Sequence, residues 1–450
     1  MNGGEGSGAK ARGLATGGVP RGELRLPGSK SLAQRALVLA SLAQGETRIA
    51  GLPSGGDVRA ALGVLRAVGV EVRELAPAAV SVRGAPPGPH RGWRGTAPLE
   101  LGESATLARF ALAVAGLCGR CEDAFELRAS GTLVRRRSDA LLAALREAGV
   151  HIEHEPWPVR LAPIGPPPTV HLREPRSSQE ASALSIALCA WPDESELAVH
   201  GELPSEPYFR MTLRELARFG ARVEQVSNEP ATWRLRGPLR APEAPLEIEP
   251  DASLSAVALA AACLGGGEVL ARGIRSDSTQ GDTRIAEHLR AFGCRASFRR
   301  TGLLASGFPQ HAARLDLRGE PDLAPVLATI AAGAALVDPV GVSVLSGLET
   351  LPGKESSRIE TLAQGLREAG WKVEHDERSL RIARGSYLAG PELPPPVTLD
   401  PRGDHRMAFA FALLGLIRPG VFVREPECVA KSWPSFWKDL AALGAKVVEA

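Results

Sequence analysis

Three stretches in the first half of this chain put hydroxyls, amides and cations where a helix should begin, a combination that selects for anions. In Leu26-Pro-Gly-Ser-Lys30-Ser31-Leu-Ala-Gln34-Arg35, a Pro-Gly step precedes an apolar run. Ser31 and Gln34 have capping-box spacing, Lys30 stands at the mouth of the expected helix, and Arg35 lies one turn in on the same side. Ser177-Ser178-Gln179-Glu180 is a second capping box, ahead of a helix expected over 181–190, and Glu103-Ser104-Ala105-Thr106 precedes a third helix with Arg109 one turn on. Free N–H groups and the positive end of the helix dipole favour phosphate and carboxylate at such ends. The GxxxxGK[ST] spacing of a P-loop is absent.

The second half supplies charge. Lys354 and Arg358 are spaced i, i+4, which predicts one helix face, with Glu355 beside them as a carboxylate that nearby cations would tune. Asp404-His405-Arg406 opens an apolar helix expected over 407–414, and Lys431 precedes Ser-Trp-Pro. Arg135-Arg136-Arg137 is a basic run just before another helix. One such run alone describes a solvated face. Their joint occurrence asks for a shared anionic ligand.

The elements that must position these residues follow an internal repeat. A helix end, a Gly and an alternating β-like stretch recur six times, as Leu65-Arg-Ala-Val-Gly69, Leu145-Arg-Glu-Ala-Gly149, Leu216-Ala-Arg-Phe-Gly220, Leu289-Arg-Ala-Phe-Gly293, Leu366-Arg-Glu-Ala-Gly370 and Leu440-Ala-Ala-Leu-Gly444. The glycines are 80, 71, 73, 77 and 74 residues apart. Leu, Arg and Ala carry the helix, Gly takes the left-handed position past its end, and the alternation that follows signals a strand. Three α/β units of this size make one domain. Pro-rich 237–245 then separates a first domain, 29–245, from a second made of 23–28 plus 246–450, with hinges expected near 26–29 and 245–249. Residues 1–22 read as a flexible, Gly-rich tail.

At 450 residues, 44% hydrophobic and 23% charged, this is an ordinary globular composition for two domains. Aromatics at 4% and a net charge of +2 argue against a nucleic-acid binder. No apolar run reaches membrane-spanning length, and six cysteines without a targeting segment fit a reducing cytoplasm. Cys118-Gly-Arg-Cys121 lacks the second ligand pair of a zinc site and reads as two small hydrophobes near a helix end.

The ordered set Pro27-Gly-Ser-Lys-Ser31 with Arg35, Ser177-Ser-Gln179, Ser205-Glu-Pro-Tyr208, Lys354-Glu355-x-x-Arg358, Asp404-His-Arg406 and Lys431-Ser resembles the 5-enolpyruvylshikimate-3-phosphate (EPSP) synthase family over about 24–437. The resemblance implies a two-domain inside-out α/β barrel of six βαβαββ repeats. It also implies a metal-free, cofactor-free transfer of enolpyruvate from phosphoenolpyruvate to the 5-hydroxyl of shikimate 3-phosphate by a cytoplasmic monomer, with no nucleic-acid or membrane partner. Carried over residue by residue, Lys30, Ser31, Arg35, Ser177, Ser178, Gln179, Ser205, Tyr208, Asp322 and Lys354 should meet shikimate 3-phosphate. Lys30, Ala105, Arg136, Gln179, Arg358, Arg406 and Lys431 should meet phosphoenolpyruvate. Asp322 fits the base for the 5-hydroxyl, Glu355 the acid for the methylene carbon, and Lys30 a catalytic cation. Closure of the two halves would gather these groups on the substrates.

This chain departs from the family pattern at Glu103, Arg137, Thr350 and Ser357, none of which removes a charged clamp. Ala105 stands where the family borders the phosphoenolpyruvate pocket, so its methyl group should crowd glyphosate, the longer competitor, more than the substrate. Two other readings are a sister enzyme acting on UDP-N-acetylglucosamine, which typically has Lys-Asn at Lys30-Ser31, and a non-catalytic binding protein on the same fold.

Overall fold

The computed structural model describes residues 11–88, 92–120, 122–153, 157–389 and 395–449. Cys121, half of the CxxC pair, and the first ten residues lie outside them.

The repeat unit folds from local rules. All six repeat glycines have positive φ, between 81° and 104°. Past each one the chain folds back in the same way: Val70, Val150, Ala221, Cys294, Trp371 and Ala445 each donate their N–H to the carbonyl of the Leu five residues earlier, at 2.9–3.0 Å. This is the Schellman closure of a helix, and both its apolar partners are buried in every copy, Leu65 with Val70 and Leu366 with Trp371 among them.

Each repeat then builds one four-stranded sheet, six among the described residues. In the third, Thr169–Arg173 runs parallel to Glu194–His200, and the hairpin Arg222–Asn228 with Ala231–Arg236 closes antiparallel beside it. The second and fifth repeats do the same with their own strands. The other three borrow a strand. Leu246–Glu247 pairs with Ile49 and Ala50 in the first repeat's sheet, and Arg21–Leu24 pairs with Glu268–Arg272 in the fourth's. In the sixth, Ala11–Ala15 lies between Val421–Arg424 and Lys446–Glu449.

These exchanges correct two expectations. The flexible tail does not extend to residue 22: from Ala11 the chain is an interior strand, with Leu14 buried. Gly13, inside that expected tail, is a close approach, since a Cβ there would run into the Val421 carbonyl. The domain boundary also moves. One compact unit comprises Pro27–Pro250 with Thr279–Gly281, and the other the N-terminal segment to Leu26 with Asp251–Ser278 and Asp282–Ala450. The strand Leu246–Glu247 therefore belongs to the first unit, because its sheet partner among the described residues is there.

In each unit the middle is helix and the rim is sheet. Lys30–Leu42, Ala105–Cys118 and Ser178–Leu188 are buried almost all round in the first unit, as are Ala252–Leu264, Ala324–Val337 and His405–Leu414 in the second. A helix apolar on every face must be interior, and the many alanines let three such helices pack closely. The sheets and the amphipathic helices that end in the repeat glycines cover them. One further consequence matters for chemistry: each repeat brings the N-terminus of its central helix among those of its neighbours.

Candidate active site

In the first unit, three helix starts are tied together. Ser29, not Ser31, caps the first: its Oγ accepts from the Leu32 N–H at 3.5 Å, and the helix begins at Lys30. Gln34 accordingly does not close a capping box. It is buried and donates to Ser104 Oγ at 2.7 Å, and Ser104 in turn caps Ala105–Cys118. Ala105 is thus the first residue of its helix. The Ser177–Glu180 capping box forms as expected, with the helix starting earlier, at Ser178. Burial pushes the Glu180 carboxyl up.

Lys30 Nζ pairs with Asp57 at 2.9 Å. Gln179 Oε1 accepts from Arg109 Nη1 at 2.5 Å. Burial lowers the Arg109 guanidinium; Glu180 opposes that shift and Arg136 adds to it. Of the adjacent arginines, Arg136 is half-buried, whereas Arg137 is exposed and pairs with Asp139 at 3.2 Å. Ser205 takes φ 54° at the start of Glu206–Arg218, which carries Tyr208.

Arg35 is engaged within its own unit. It is buried, donates to Thr212 Oγ1 at 2.7 Å, the Ser31 carbonyl at 2.9 Å and the Tyr208 carbonyl at 3.0 Å, and lies over the Phe110 ring. Burial brings its pKa down to about 10. In this arrangement it joins two helix starts as a scaffold.

The second unit gathers four cations around three carboxylates. Asp322, on the short 3-10 turn Pro321–Leu323, has Arg358 Nη1 at 2.9 Å, Arg406 Nη2 at 3.2 Å and Lys354 Nζ at 3.3 Å. Glu355 pairs with Arg358 at 2.7 Å and with Lys431 at 3.8 Å. Asp404, fully buried, caps its helix through the Arg406 N–H and accepts from Arg358 Nε at 2.8 Å. The expected single helix face for Lys354 and Arg358 is corrected: the helix begins at Arg358, Lys354 lies in the turn before it, and the two meet at Asp322.

Burial alone would raise the Asp322 carboxyl, but Arg406, Lys354 and Arg358 outweigh it and hold the group far below the usual carboxylate range. Burial likewise depresses the Lys354 ammonium, and Asp322 opposes that shift. Arg358 is held protonated by Asp404, Glu355 and Asp322 against its own burial. Among the described residues no group of three or more His, Cys, Asp or Glu is placed to hold a metal ion, and no helix is long and apolar enough to cross a membrane.

Residues 15–440 match the family profile described as EPSP synthase (3-phosphoshikimate 1-carboxyvinyltransferase). The chain belongs to the EPSP synthase family. The 3-phosphoshikimate 1-carboxyvinyltransferase of Nitrosomonas europaea is 34% identical over 441 residues, 94% of this chain and 96% of that one. That of Photobacterium damsela subsp. piscicida is 32% identical over 433 residues, with the same coverage. Among solved structures, EPSP synthase from Acinetobacter baumannii superposes with a TM-score of 0.78 at 22% identity, covering 98% of this chain and all of that one. The enolpyruvyl transferase NikO from Streptomyces tendae gives 0.70 at 18% identity, covering 98% and 99%. At those identities the superpositions speak for the fold, which is that of the enolpyruvyl transferases.

Within this EPSP synthase fold, two groups were absent from the sequence-derived site. Arg109 stood in a motif without an assigned role, and only its bond to Gln179, 70 positions away, brings it there. Asp404 read as a helix opener, and its grip on Arg358 shows only in the fold.

Proposed function

We infer that the chain transfers the enolpyruvyl group of phosphoenolpyruvate to the 5-hydroxyl of shikimate 3-phosphate, giving 5-enolpyruvylshikimate 3-phosphate and phosphate. The observation that carries this reading is the second-unit cluster: a carboxylate, Asp322, kept ionised by three cations, next to a second carboxyl, Glu355, on the same Arg358. Addition across the alkene needs one group to take the hydroxyl proton and one to protonate the methylene carbon. Asp322 supplies the first and Glu355 the second. The tetrahedral intermediate then loses phosphate as a proton leaves the new methyl group.

The anions need clamps of matching type. Arg358, Arg406, Arg136 and Lys431, with Lys30 and Gln179, suit the phosphate and carboxylate of phosphoenolpyruvate, planar guanidinium groups taking carboxylates two oxygens at a time. Ser177, Ser178 and Ser205 suit the shikimate phosphate, because Ser177 and Ser205 stand at the N-caps of two helices, whose free N–H groups favour an anion. Ser31, Lys354 and Tyr208 complete the acceptor's contacts, and Arg35 supports them through Ser31 and Tyr208. The five described cysteines are all free, four of them buried, which fits a reducing cytoplasm. We take the protein as a monomer, which size-exclusion chromatography with light scattering tests.

Phosphate release measured with phosphoenolpyruvate and either shikimate 3-phosphate or UDP-N-acetylglucosamine tests the reaction. Turnover is expected with the first acceptor only. Tight binding of shikimate 3-phosphate without turnover would instead favour a binding protein. Lys30→Met should lower kcat/KM by about 10²-fold, since it removes a charged donor from both anions.

Ala105→Gly addresses the pocket border. One methyl group in a tight pocket is worth about 10- to 200-fold in discrimination. The variant should therefore be inhibited by glyphosate at roughly tenfold lower concentration, with a smaller change in KM for phosphoenolpyruvate. Equal sensitivity of the two proteins would remove Ala105 from that role.

A further inference from the structure

Two residues before Asp322 sits a carboxylate that the chemistry above does not use. Glu320 is fully buried. Its Oε1 accepts from Arg284 Nη1 at 2.9 Å and lies 2.7 Å from His288 Nε2, and its Oε2 is 3.0 Å from the same Arg284 nitrogen. His288 is buried as well, on the helix Ile285–Ala291, while Arg284 is half exposed and also reaches Glu287 at 3.2 Å. The backbone of Glu320 is the frame of the 3-10 turn: its N–H donates to the Leu317 carbonyl at 3.1 Å and its carbonyl accepts from Leu323 N–H at 3.0 Å.

A buried ion cluster repays its desolvation only about evenly, so packing alone would be served as well by an apolar side chain. What a carboxylate held by Arg284, at the end of the 3-10 turn Gly281–Arg284, and by His288, on the helix that follows, adds is direction. Asp322 lies in the middle of the turn that Glu320 begins, and Lys354, Arg358 and Arg406 hold its carboxyl end. The other end of the lever, the backbone from which Asp322 springs, is restrained through Glu320 and through Arg406 Nη1 on the Asp322 carbonyl at 3.3 Å.

We propose that Glu320, clamped by Arg284 and His288, is a positioning residue that sets the reach of the Asp322 carboxylate toward the acceptor hydroxyl. This rests on the reading of Asp322 as the base. A displacement of order 1 Å in a reacting group costs up to about 10²-fold in rate, so breaking the clamp should act on kcat rather than on substrate binding.

The test is a kinetic cycle on the full chain. His288→Leu removes one donor and Glu320→Gln keeps the shape while removing the charge. Each is expected to lower kcat about tenfold while the KM values for both substrates move less than twofold. His288→Gln, whose amide nitrogen can stand near the position of Nε2, should restore most of the loss. In an Asp322→Asn background, His288→Leu should cost nothing further, because there is no base left to misplace. Full kcat in Glu320→Gln, a loss carried equally by KM, or an additive loss in the Asp322→Asn background would overturn the proposal. Should His288→Leu fail to fold, Glu320→Gln and His288→Gln carry the same comparison. The two readings fail differently: if Asp322→Asn itself turns over normally, the assignment of the base is wrong; if it is slow while the clamp variants are fast, the positioning role is wrong.

Discussion

Asp322→Asn should lower kcat by about 10²- to 10⁴-fold, the range that one general base contributes, while shikimate 3-phosphate still binds. The pH profile should carry a second signature. A base works when ionised, so activity falls as pH drops through its pKa. In the free protein, burial favours the neutral Asp322, but Arg406, Lys354 and Arg358 hold its carboxyl far below the usual carboxylate range. The kcat/KM profile, which reports the free enzyme, should therefore show no acid limb from this group at mildly acidic pH. On the proposed reading, the incoming phosphate and carboxylates would claim the same cations and weaken their hold on Asp322. Its pKa should then rise in the complex, and the acid limb of kcat should lie at higher pH than any in kcat/KM. Coincident limbs in the two profiles would contradict this account, and an Asp322→Asn protein with normal turnover would end it.

Arg358→Met should have the largest effect on stability. The side chain is 2% exposed and donates to Asp404 at 2.8 Å, Asp322 at 2.9 Å and Glu355 at 2.7 Å. Removing one partner from a buried ionic group leaves the other charges uncompensated and costs about 3–5 kcal/mol. In a unit of this size each kcal/mol lowers Tm by about 2–4 °C, so a fall of about 10 °C is expected in calorimetry. Arg358→Lys keeps the charge but not the three-way geometry and should fall between. The acid side of the stability curve should change as well. Asp322 has a depressed folded pKa, so it stabilises the fold at pH above the unfolded aspartate value, near 4, and that contribution is lost as pH falls toward the folded value. With Arg358 gone, the depression shrinks and the loss on acidification becomes smaller. An unchanged Tm in Arg358→Met would show that the cluster contributes little to the fold.

How much of this was legible in the residues depends on the range of the interaction. The repeat glycines predicted six helix ends, and all six take positive φ with the same fold-back bond. The Ser177–Glu180 capping box likewise formed as its spacing requires. Both are decided within about five residues, by backbone sterics and by one side chain reaching the nearest free N–H. Near a helix start even a local reading can slip by two positions, as Ser29 and Ser31 show, because both hydroxyls precede the same apolar run and only the entry angle of the chain separates them.

Tertiary structure decided the rest. Composition made Ala11–Ala15 look like tail, and only partners more than 400 positions away make it an interior strand. Leu246–Glu247 looked like the first strand of the second half until its pairing with Ile49 and Ala50 placed it in the first. The charged motifs announced an anion site, yet nothing in their spacing says that Lys354, Arg358 and Arg406 converge on one carboxylate, that Asp404 steadies Arg358, or that Glu320 has a buried histidine beside it. Short-range backbone geometry is written into neighbouring residue types. Which strand fills a sheet and which charge meets which are set by burial and pairing between residues that the chain keeps far apart until it folds.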